Sequence, residues 1–193
     1  DLVCAMGIAE LIGEHLFASP FVHSCLEAVT VLAELGNAEQ RSQWLPAIAS
    51  GKAIVVLAHF EPGMGHNWRD VQMTLHADKA GARLTGRKTN VAWGACADRW
   101  IVTLRDPNGA LSAWLVDPSM PGIFAERYAS VDGTPMIHLT FDNAALPASA
   151  RLGEAAEAAL EKTMAASMAA TCREAIGAMT KLHQMTLDYV KIR

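Results

Sequence analysis

The C-terminal stretch limits the possible folds of this chain more than any other segment. From Glu154 to Ile192 there is no proline and a single glycine, Gly177, in a sequence rich in Ala, Glu, Met and Leu. This composition predicts one continuous helix, about 55 Å long at about 1.5 Å per residue. Apolar residues at helical spacing form a stripe along it: Leu160, Met164, Met168, Cys172, Ile176 and Met179. Because a small sheet cannot cover such a stripe, we expect partner helices from sequence beyond Arg193 or from another subunit.

The first fifty residues are also predicted to be helical. Apolar residues recur at spacings of three and four from Leu2 to Leu16 and again from Phe21 to Leu35. The dipeptide Ser19-Pro20 interrupts the pattern between them. We therefore expect two amphipathic helices in this region.

A short third helix is predicted to follow. Gly36 ends the helix before it, and Asn37 with Gln40 three residues later forms a capping-box pattern. The third helix is expected to end near Gly51. We therefore assign residues 1–52 to an N-terminal helical segment.

Beyond residue 53 the periodicity changes from helical to strand-like. The predicted strands are Ile54 to Leu57, Val71 to Ala77, Trp100 to Leu104, Leu111 to Val116 and Met136 to Phe141. The turn sequence Asp106-Pro107-Asn108-Gly109 lies between two of them and predicts a hairpin. We expect residues 53–150 to form an antiparallel sandwich or barrel domain, and residues 151–193 to begin a C-terminal helical domain. The predicted fold class is α+β.

Charge and composition exclude several classes of protein. Of the 193 residues, 16 are Lys or Arg and 20 are acidic, so the net charge of −4 lacks the positive field that nucleic-acid binding requires. Four glutamates, Glu10, Glu14, Glu27 and Glu34, interrupt the most apolar region, and no membrane span is predicted. The four cysteines and seven histidines show no metal-site or disulfide spacing, which favours reduced thiols in the cytoplasm.

The densest local motif is a glycine-rich loop, Glu61-Pro62-Gly63-Met64-Gly65-His66-Asn67, which follows Phe60 at the end of a predicted strand. Glycines in such a loop let a ligand approach the backbone closely. The loop lacks the spacing of a dinucleotide or Walker phosphate motif, and taken alone such a loop is more often ordinary turn chemistry than a binding site. Of the histidines, His59 and His66 flank this loop.

A second cluster, Gly86 to Ala95, places the basic pair Arg87-Lys88 before a strand that ends at Trp93-Gly94. Between Arg69 and Arg105 the sequence is locally positive, which suits an anionic ligand. A solvated sheet face carrying Lys and Arg gives the same pattern, so both interpretations stay open.

Taken in order, these motifs resemble the acyl-CoA dehydrogenase family. The residues that carry the resemblance are Leu35 to Arg41, Trp44 to Pro46, Ala49 to Gly51, Glu61 to Gly65, Gly86 to Lys88, Ala175 to Ala178 and Leu187 to Arg193. They span nearly the whole chain and look like a bacterial-type member. The resemblance implies a piece of a longer chain, from late N-terminal helices through the β domain to the first C-terminal helix.

The resemblance further implies a flavoprotein that uses FAD to desaturate an acyl-CoA thioester between its α and β carbons. A carboxylate would remove the α proton, and the β hydrogen would leave as hydride to the flavin. Residues implied to contact the flavin or the thioester are Leu57, Phe60, Gly65 and His66, with Asn90 and Ala92 beside the isoalloxazine ring and Arg193 at the flavin pyrophosphate of a neighbouring subunit. A homo- or hetero-oligomer, dimer or tetramer, and an electron-transfer acceptor are implied as well.

Several positions depart from the family pattern. Phe60 stands where a threonine usually precedes the Glu-Pro pair, and His66-Asn67 stand in place of Ser-Asp. Asn90 replaces a ring-stacking tryptophan and Ala92 a hydroxyl residue, while Met168 stands near a CoA-supporting arginine position. These departures suggest an unusual acyl group, such as a dicarboxylic, ring-bearing or steroid-derived one. They also support an alternative, a flavin-poor structural subunit of a hetero-oligomeric acyl-CoA dehydrogenase.

The resemblance names no catalytic base within this chain, and the base is expected in sequence outside it. Glu61 belongs to the loop motif and is expected to order that loop rather than to remove a proton.

Overall fold

A proline separates the first two helices of the computed structural model, which describes residues 2–78, 81–154 and 156–193. Helix α1 spans Leu2–His15, and the chain turns before Pro20. The predicted second helix has the expected extent, but its first part, Phe21–Ala28, is a π-helix that continues into α2, Val29–Leu35. The wider turn was not predictable from apolar spacing, because the sequence pattern does not distinguish the two helix types.

The predicted capping box starts helix α3, Ala38–Ala49. The Asn37 side chain accepts a hydrogen bond from the Gln40 amide at 2.8 Å, and the Gln40 side chain accepts one from the Asn37 amide at 2.9 Å. Gly51 follows with a positive φ of 69°, which ends the helix as predicted.

Gly36 ends α2 for a reason other than the one the sequence suggested. Its backbone is extended, with φ −61° and ψ 138°, a conformation open to any residue. A Cβ at this position would lie 2.5 Å from the carbonyl oxygen of Leu32. Close contact with the preceding turn, not a left-handed backbone, therefore favours glycine here.

In the part of the chain that the structure describes, seven strands form two sheets. The three-stranded sheet has the order β1-β4-β5 and contains Val55–Ala58, Arg99–Arg105 and Leu111–Val116. The four-stranded sheet has the order β2-β3-β7-β6 and contains Leu75–Asp78, Gly81–Ala92, Pro135–Leu146 and Ile123–Ala129. The two sheets make a sandwich, and the predicted β4–β5 hairpin is confirmed.

The prediction of a wholly antiparallel domain is wrong for one pair of strands. Strand β1 pairs with β4 in parallel, from Val55 opposite Arg99 to Ala58 opposite Val102. The chain leaves β1, forms β2 and β3 in the other sheet, and then returns to β4. This crossover makes the two strands run in the same direction.

The predicted strand from Val71 to Ala77 joins a sheet only from Leu75 onwards, after an isolated bridge between Thr74 and Arg105. Burial still alternates along it, with Val71 and Met73 buried and Gln72 and Thr74 exposed. The amides of Gln72 and Met73 donate to a carboxylate instead of to a neighbouring strand, which shortens the strand. Strand β6 was not predicted, because most of its residues are exposed and lack apolar alternation.

The core has two main layers. Apolar side chains between the two sheets form one cluster, which includes Val56, Val102, Leu139 and Phe141. The opposite face of the three-stranded sheet packs against the helices through a second cluster, which includes Leu32, Trp44, Ile101 and Leu160. Helices, one sheet and then the second sheet therefore lie in three layers.

The long C-terminal helix, α4, spans Ala156–Ile192 and packs against α1. Only part of the predicted stripe is covered, since Leu160 is buried whereas Met168, Ile176 and Met179 are exposed. The face of α4 that meets α1 carries Ala170 and Gly177 instead.

Two glycines explain why that face was not recognised as apolar. A Cβ on Gly13 of α1 would lie 1.9 Å from the carbonyl oxygen of Glu174, and one on Gly177 would lie 1.9 Å from that of Glu10. Glu10 also forms an ion pair with Arg173 across the crossing. The two helices approach so closely that only the smallest residues fit between their backbones.

The predicted domain boundaries, at residues 52/53 and 150/151, fall between α3 and β1 and between β7 and α4, and they stay a prediction. Within the described residues, no helix combines the length and apolar character needed to cross a bilayer.

Candidate functional site

The glycine-rich loop and the end of β3 are joined by a backbone hydrogen bond. The amide of Thr89 donates to the carbonyl oxygen of Phe60 at 2.7 Å. This bond places Phe60, at the start of the loop, beside the residue pair Thr89-Asn90 near the end of β3. The two motifs that sequence analysis treated separately therefore form one continuous site.

Glu61 is buried and fully engaged by hydrogen bonds. Its carboxylate accepts from the amide of Gln72 at 2.8 Å and from the amide of Met73 at 3.2 Å. It also accepts from the ammonium group of Lys88, at 2.6 Å. A carboxylate held by three donors is not free to remove a substrate proton, which agrees with its predicted role in ordering the loop.

Lys88 is completely buried, so it is neither an exposed ligand for anions nor part of a solvated sheet face. Besides Glu61, its Nζ donates to the carbonyl oxygen of His59 at 3.0 Å and to the Thr103 hydroxyl at 3.4 Å. Burial lowers the pKa of Lys88 to about 8, and Glu61 opposes part of that decrease. Its neighbour Arg87 is exposed and pairs with Glu126 at 3.2 Å.

His59 lies next to this ion pair and is buried as well. Its Nε2 lies 2.8 Å from the carbonyl oxygen of Trp68, and its Nδ1 lies 2.9 Å from the Thr103 hydroxyl. Burial, together with the charge on Lys88, lowers the pKa of His59 to about 4. The imidazole is therefore neutral near pH 7.

The far end of the loop is fixed by two arginines. Arg105 donates to the carbonyl oxygens of Arg69 at 2.6 Å and Val71 at 2.9 Å. Arg69 in turn forms ion pairs with Glu157 at 2.9 Å and Glu161 at 3.1 Å on α4. Its guanidinium also lies 4.1 Å from the centre of the Trp68 ring.

The tip of the loop is open. Gly63, Gly65 and His66 are exposed, and no atom lies within 4 Å of a Cβ built on either glycine. Gly63 has a positive φ of 77°, so the turn itself requires a glycine there. The loop thus combines a fixed base with an accessible tip.

Asn90 has a left-handed backbone with φ 54° and an exposed side chain. Its Oδ1 accepts a hydrogen bond from the hydroxyl of Tyr128 at 2.6 Å. The Tyr128 ring in turn packs against that of His138, with centroids 4.5 Å apart. Trp93, the neighbouring tryptophan, packs against the core between the sheets and does not take the position of Asn90.

Ala92 is a non-hydrogen-bonded partner of Met136 in the β3–β7 ladder. The next residue, Trp93, donates its amide to the carbonyl oxygen of Pro135 at 2.7 Å. Successive amides of a strand point in opposite directions, so the Ala92 N–H points away from β7. Strand β2 pairs with β3 only up to Leu84, so β2 does not reach this amide.

The predicted site residues are only partly brought together. Leu57 is half-buried and packs in the helix-side cluster, whereas Phe60 is 44% exposed at the start of the loop. Arg193 follows the last residue of α4, about 55 Å along the helix from its start, and its guanidinium lies over the Tyr189 ring. The roles assigned to these positions stay predictions.

Sequence reasoning missed Thr103, Tyr128 and His138. Thr103 is the polar residue in the run Ile101-Val102-Thr103-Leu104 of a buried strand, which is the signal that could have identified it. Tyr128 and His138 lie on β6 and β7, and only the pairing of those strands brings them to Asn90.

Comparison with known proteins agrees with this fold and with these motifs. A profile described as the acyl-CoA dehydrogenase middle domain matches residues 57–144. The acyl-CoA dehydrogenase FadE27 of Mycobacterium tuberculosis is 29% identical over 182 residues, which cover 94% of this chain and 47% of that protein. Residues 57–144 thus belong to the acyl-CoA dehydrogenase family, as its middle domain. The whole chain spans about half the length of FadE27.

Solved structures of the family share the whole fold. A chain of the ChsE4–ChsE5 complex from Mycobacterium tuberculosis is 26% identical, with a TM-score of 0.84 over 100% of this chain and 50% of that one. An acyl-CoA dehydrogenase from Geobacillus kaustophilus, 24% identical, has a TM-score of 0.88 over 100% of this chain and 54% of that one. The chain therefore has the helix, sandwich and long-helix fold of acyl-CoA dehydrogenase structures.

Proposed function

We propose that this chain is part of an FAD-dependent acyl-CoA dehydrogenase that desaturates an acyl-CoA thioester between the α and β carbons. The observation that carries the proposal is the Thr89–Phe60 hydrogen bond of 2.7 Å, which joins the glycine-rich loop to the end of β3. The match to the acyl-CoA dehydrogenase middle domain is the reason for assigning flavin chemistry to this junction.

The residues at the junction suit the edge of a flavin ring. The Ala92 N–H points away from β7 and is a backbone donor available to a ring nitrogen or oxygen, whatever side chain it carries. The tip of the glycine-rich loop is also accessible, through Gly63 and Gly65. FAD, when bound, would supply the acceptor for the hydride that leaves the β carbon.

The chain's own residues would bind and orient the flavin and the thioester. Ala92 would donate its amide to the isoalloxazine ring, and Asn90 would lie beside that ring. Leu57, Phe60, Gly65 and His66 would contact the flavin or the thioester end. Arg193 would reach the flavin pyrophosphate of a neighbouring subunit, because the length of α4 carries it far from its own β domain.

The base that removes the α proton is proposed to come from sequence outside these 193 residues. Glu61, the acidic residue of the loop motif, is held by Lys88 and by two backbone amides. The partners proposed are an acyl-CoA, an electron-transfer acceptor and further subunits in the cytoplasm. The departures at Phe60 and Asn90 favour an unusual acyl group, dicarboxylic, ring-bearing or steroid-derived.

One observation favours a second function, that of a flavin-poor subunit in a hetero-oligomer. The side chain of Asn90 supplies no stacking ring, and its Oδ1 already accepts a hydrogen bond from the Tyr128 hydroxyl at 2.6 Å. A structure of similar fold, the ChsE4–ChsE5 complex, contains two differently named chains. In this alternative a partner chain would carry the base and the complete flavin site.

The test is the visible spectrum of the full-length protein, recorded before and after anaerobic addition of acyl-CoA thioesters. A flavin spectrum that bleaches with one class of thioester supports the dehydrogenase. A protein that stays colourless after incubation with FAD contradicts it and favours the structural subunit.

A matched pair of variants locates the site within the chain. His66→Ala, at the loop tip, should weaken FAD or acyl-CoA binding, whereas His76→Ala, exposed on β2, should not. Equal effects of the two substitutions would argue against a site at the loop tip.

A further inference from the structure

We propose that Thr103 and His59 are positioning residues that hold the far end of the glycine-rich loop in place for its ligands. They do so through hydrogen bonds that run from Lys88 to Thr103, then to His59, and then to the carbonyl oxygen of Trp68. The ligands in question are those of the proposed function, on which this inference rests.

The direction of every hydrogen bond follows from chemistry. A carbonyl oxygen only accepts, so the Nε2 of His59, 2.8 Å from the Trp68 oxygen, must carry a proton. A neutral imidazole has one N–H, so its Nδ1 accepts from the Thr103 hydroxyl at 2.9 Å. The Thr103 oxygen then accepts from Lys88, which has donors only. Each of these hydrogen bonds therefore has one direction, with the Thr103 hydroxyl donating to His59 and accepting from Lys88.

The same ammonium group supports both ends of the loop. Lys88 holds Glu61, where the loop begins, by a direct contact of 2.6 Å. Through Thr103 and His59 it also holds Trp68, near the end of the loop. The exposed tip between Glu61 and Trp68 is thus attached at two points to one completely buried cation.

These hydrogen bonds stabilise the fold in a way that apolar packing alone would not. Thr103 and His59 are both buried, and a polar group in that position destabilises the fold unless its partner is present. Loss of the Thr103 hydroxyl would leave the Nδ1 of His59 without a donor and allow the imidazole to exchange its proton between nitrogens. The bond to Trp68 would then weaken, although the packing stayed the same.

Thr103→Val and Thr103→Ser, made in the full-length protein, test the proposal. Valine keeps the shape of threonine without its hydroxyl, and serine keeps the hydroxyl. With Thr103→Val we expect amide hydrogen exchange in residues 62–70 to accelerate about five- to tenfold, and the Kd for FAD to rise by a similar factor. Thr103→Ser should stay within about twofold of the wild type in both measurements. Equal effects of valine and serine, or no effect of valine, would overturn the proposal.

A second test measures which ring nitrogen of His59 carries the proton in the wild type, so it does not require any variant to fold. Nitrogen NMR of the labelled imidazole should show a proton on Nε2 and none on Nδ1. A proton on Nδ1 would overturn the proposal. If the wild type binds no FAD, the proposed function fails, whereas hydrogen exchange and the imidazole spectrum still decide whether Thr103 and His59 position the loop.

Discussion

Two basic side chains under the loop depend on their partners in different ways. Lys88 is buried with Glu61 as a charged pair, whereas His59 is buried neutral between a hydroxyl and a carbonyl. Removing one member of a charged pair leaves the other desolvated and uncompensated. With a buried neutral ring, the folded protein instead loses stability when the pH is low enough to protonate the ring.

The charged pair gives the first prediction. Lys88→Met should lower the free energy of unfolding by about 3 kcal/mol or more, because it leaves the Glu61 carboxylate without its cation. The measurement is urea denaturation of the full-length protein. The control is the double substitution Lys88→Met with Glu61→Gln, which should recover much of the loss because the amide oxygen still accepts from the backbone. A double variant no more stable than the single one would refute this account.

The neutral ring gives the second prediction. The pKa of His59 is lowered from 6.5 to about 4 in the folded protein, so between these values the unfolded chain binds the extra proton. Its contribution to stability is therefore complete above pH 6.5 and falls as the pH decreases towards 4, by up to about 3 kcal/mol.

His59→Gln removes that titration, so the stability of the variant should depend less on pH between 4 and 6.5. Thermal unfolding at several pH values measures it, with His76→Gln on the exposed face of β2 as the control. Parallel pH profiles for the wild type and His59→Gln would show that His59 is not buried neutral.

At the scale of elements, the crossing of α1 and α4 depends on two glycines rather than on the apolar stripe. The backbones approach so closely at Gly13 and Gly177 that an added Cβ would overlap a carbonyl oxygen. Backbone cannot move aside as a flexible side chain can. The two helices must therefore separate if either glycine is replaced.

The third prediction compares two glycines that both lie in helices. Gly177→Ala should destabilise the protein by about 1–3 kcal/mol, because the methyl group would overlap the Glu10 carbonyl. Gly7→Ala, in α1 with nothing within 4 Å of its Cβ, should stabilise the protein by up to about 1 kcal/mol. Thermal denaturation of the two variants measures the difference. Stabilisation by both substitutions would show that the helices do not meet at Gly177.

The elements that could be predicted were those with a local signal. The Asn37–Gln40 capping box and the turn at Asp106-Pro107-Asn108-Gly109 act within a few residues, and both are confirmed. The parallel pairing of β1 with β4 is set by strands distant in sequence, and local periodicity does not encode it.

In the candidate site, too, local motifs could be predicted and contacts between distant segments could not. The loop motif and the strand motif were recognisable as motifs, but the hydrogen bond from Thr89 to Phe60 that joins them was not. The sequence leaves two interpretations of the basic pair Arg87-Lys88, an anionic-ligand site or a solvated sheet face, and neither of them buries Lys88. Its burial depends on Glu61, which lies 27 residues earlier in the chain.

At the scale of the whole molecule, many apolar side chains of α1 and α4 remain exposed. On α4 they include Met168 and Met179, which are 66% and 59% exposed, and further residues extend to Ile192. Many exposed apolar side chains on one helix are typical of a face that packs against another chain or domain. The sequence prediction that α4 needs further helices is consistent with this exposure.

The fourth prediction concerns that surface. Met168→Lys together with Met179→Lys should shift the full-length protein to a smaller species in size-exclusion chromatography, or make it aggregate, while Val131→Lys should not. Val131 is fully exposed in the turn after β6 and does not lie on α4, so it controls for the added charge. An elution profile unchanged by the methionine substitutions would mean that this part of α4 faces solvent in the assembled protein.

The buried hydrogen bonds under the loop also restrict how this sequence can diverge. Glu61, Lys88, Thr103 and His59 are all buried, and each is hydrogen-bonded to at least one of the others. A single replacement therefore passes through a destabilised protein, whereas a coordinated exchange of two does not. During evolution these four positions should change together or stay as they are, and the exposed loop tip, free of such constraints, can vary with the ligand.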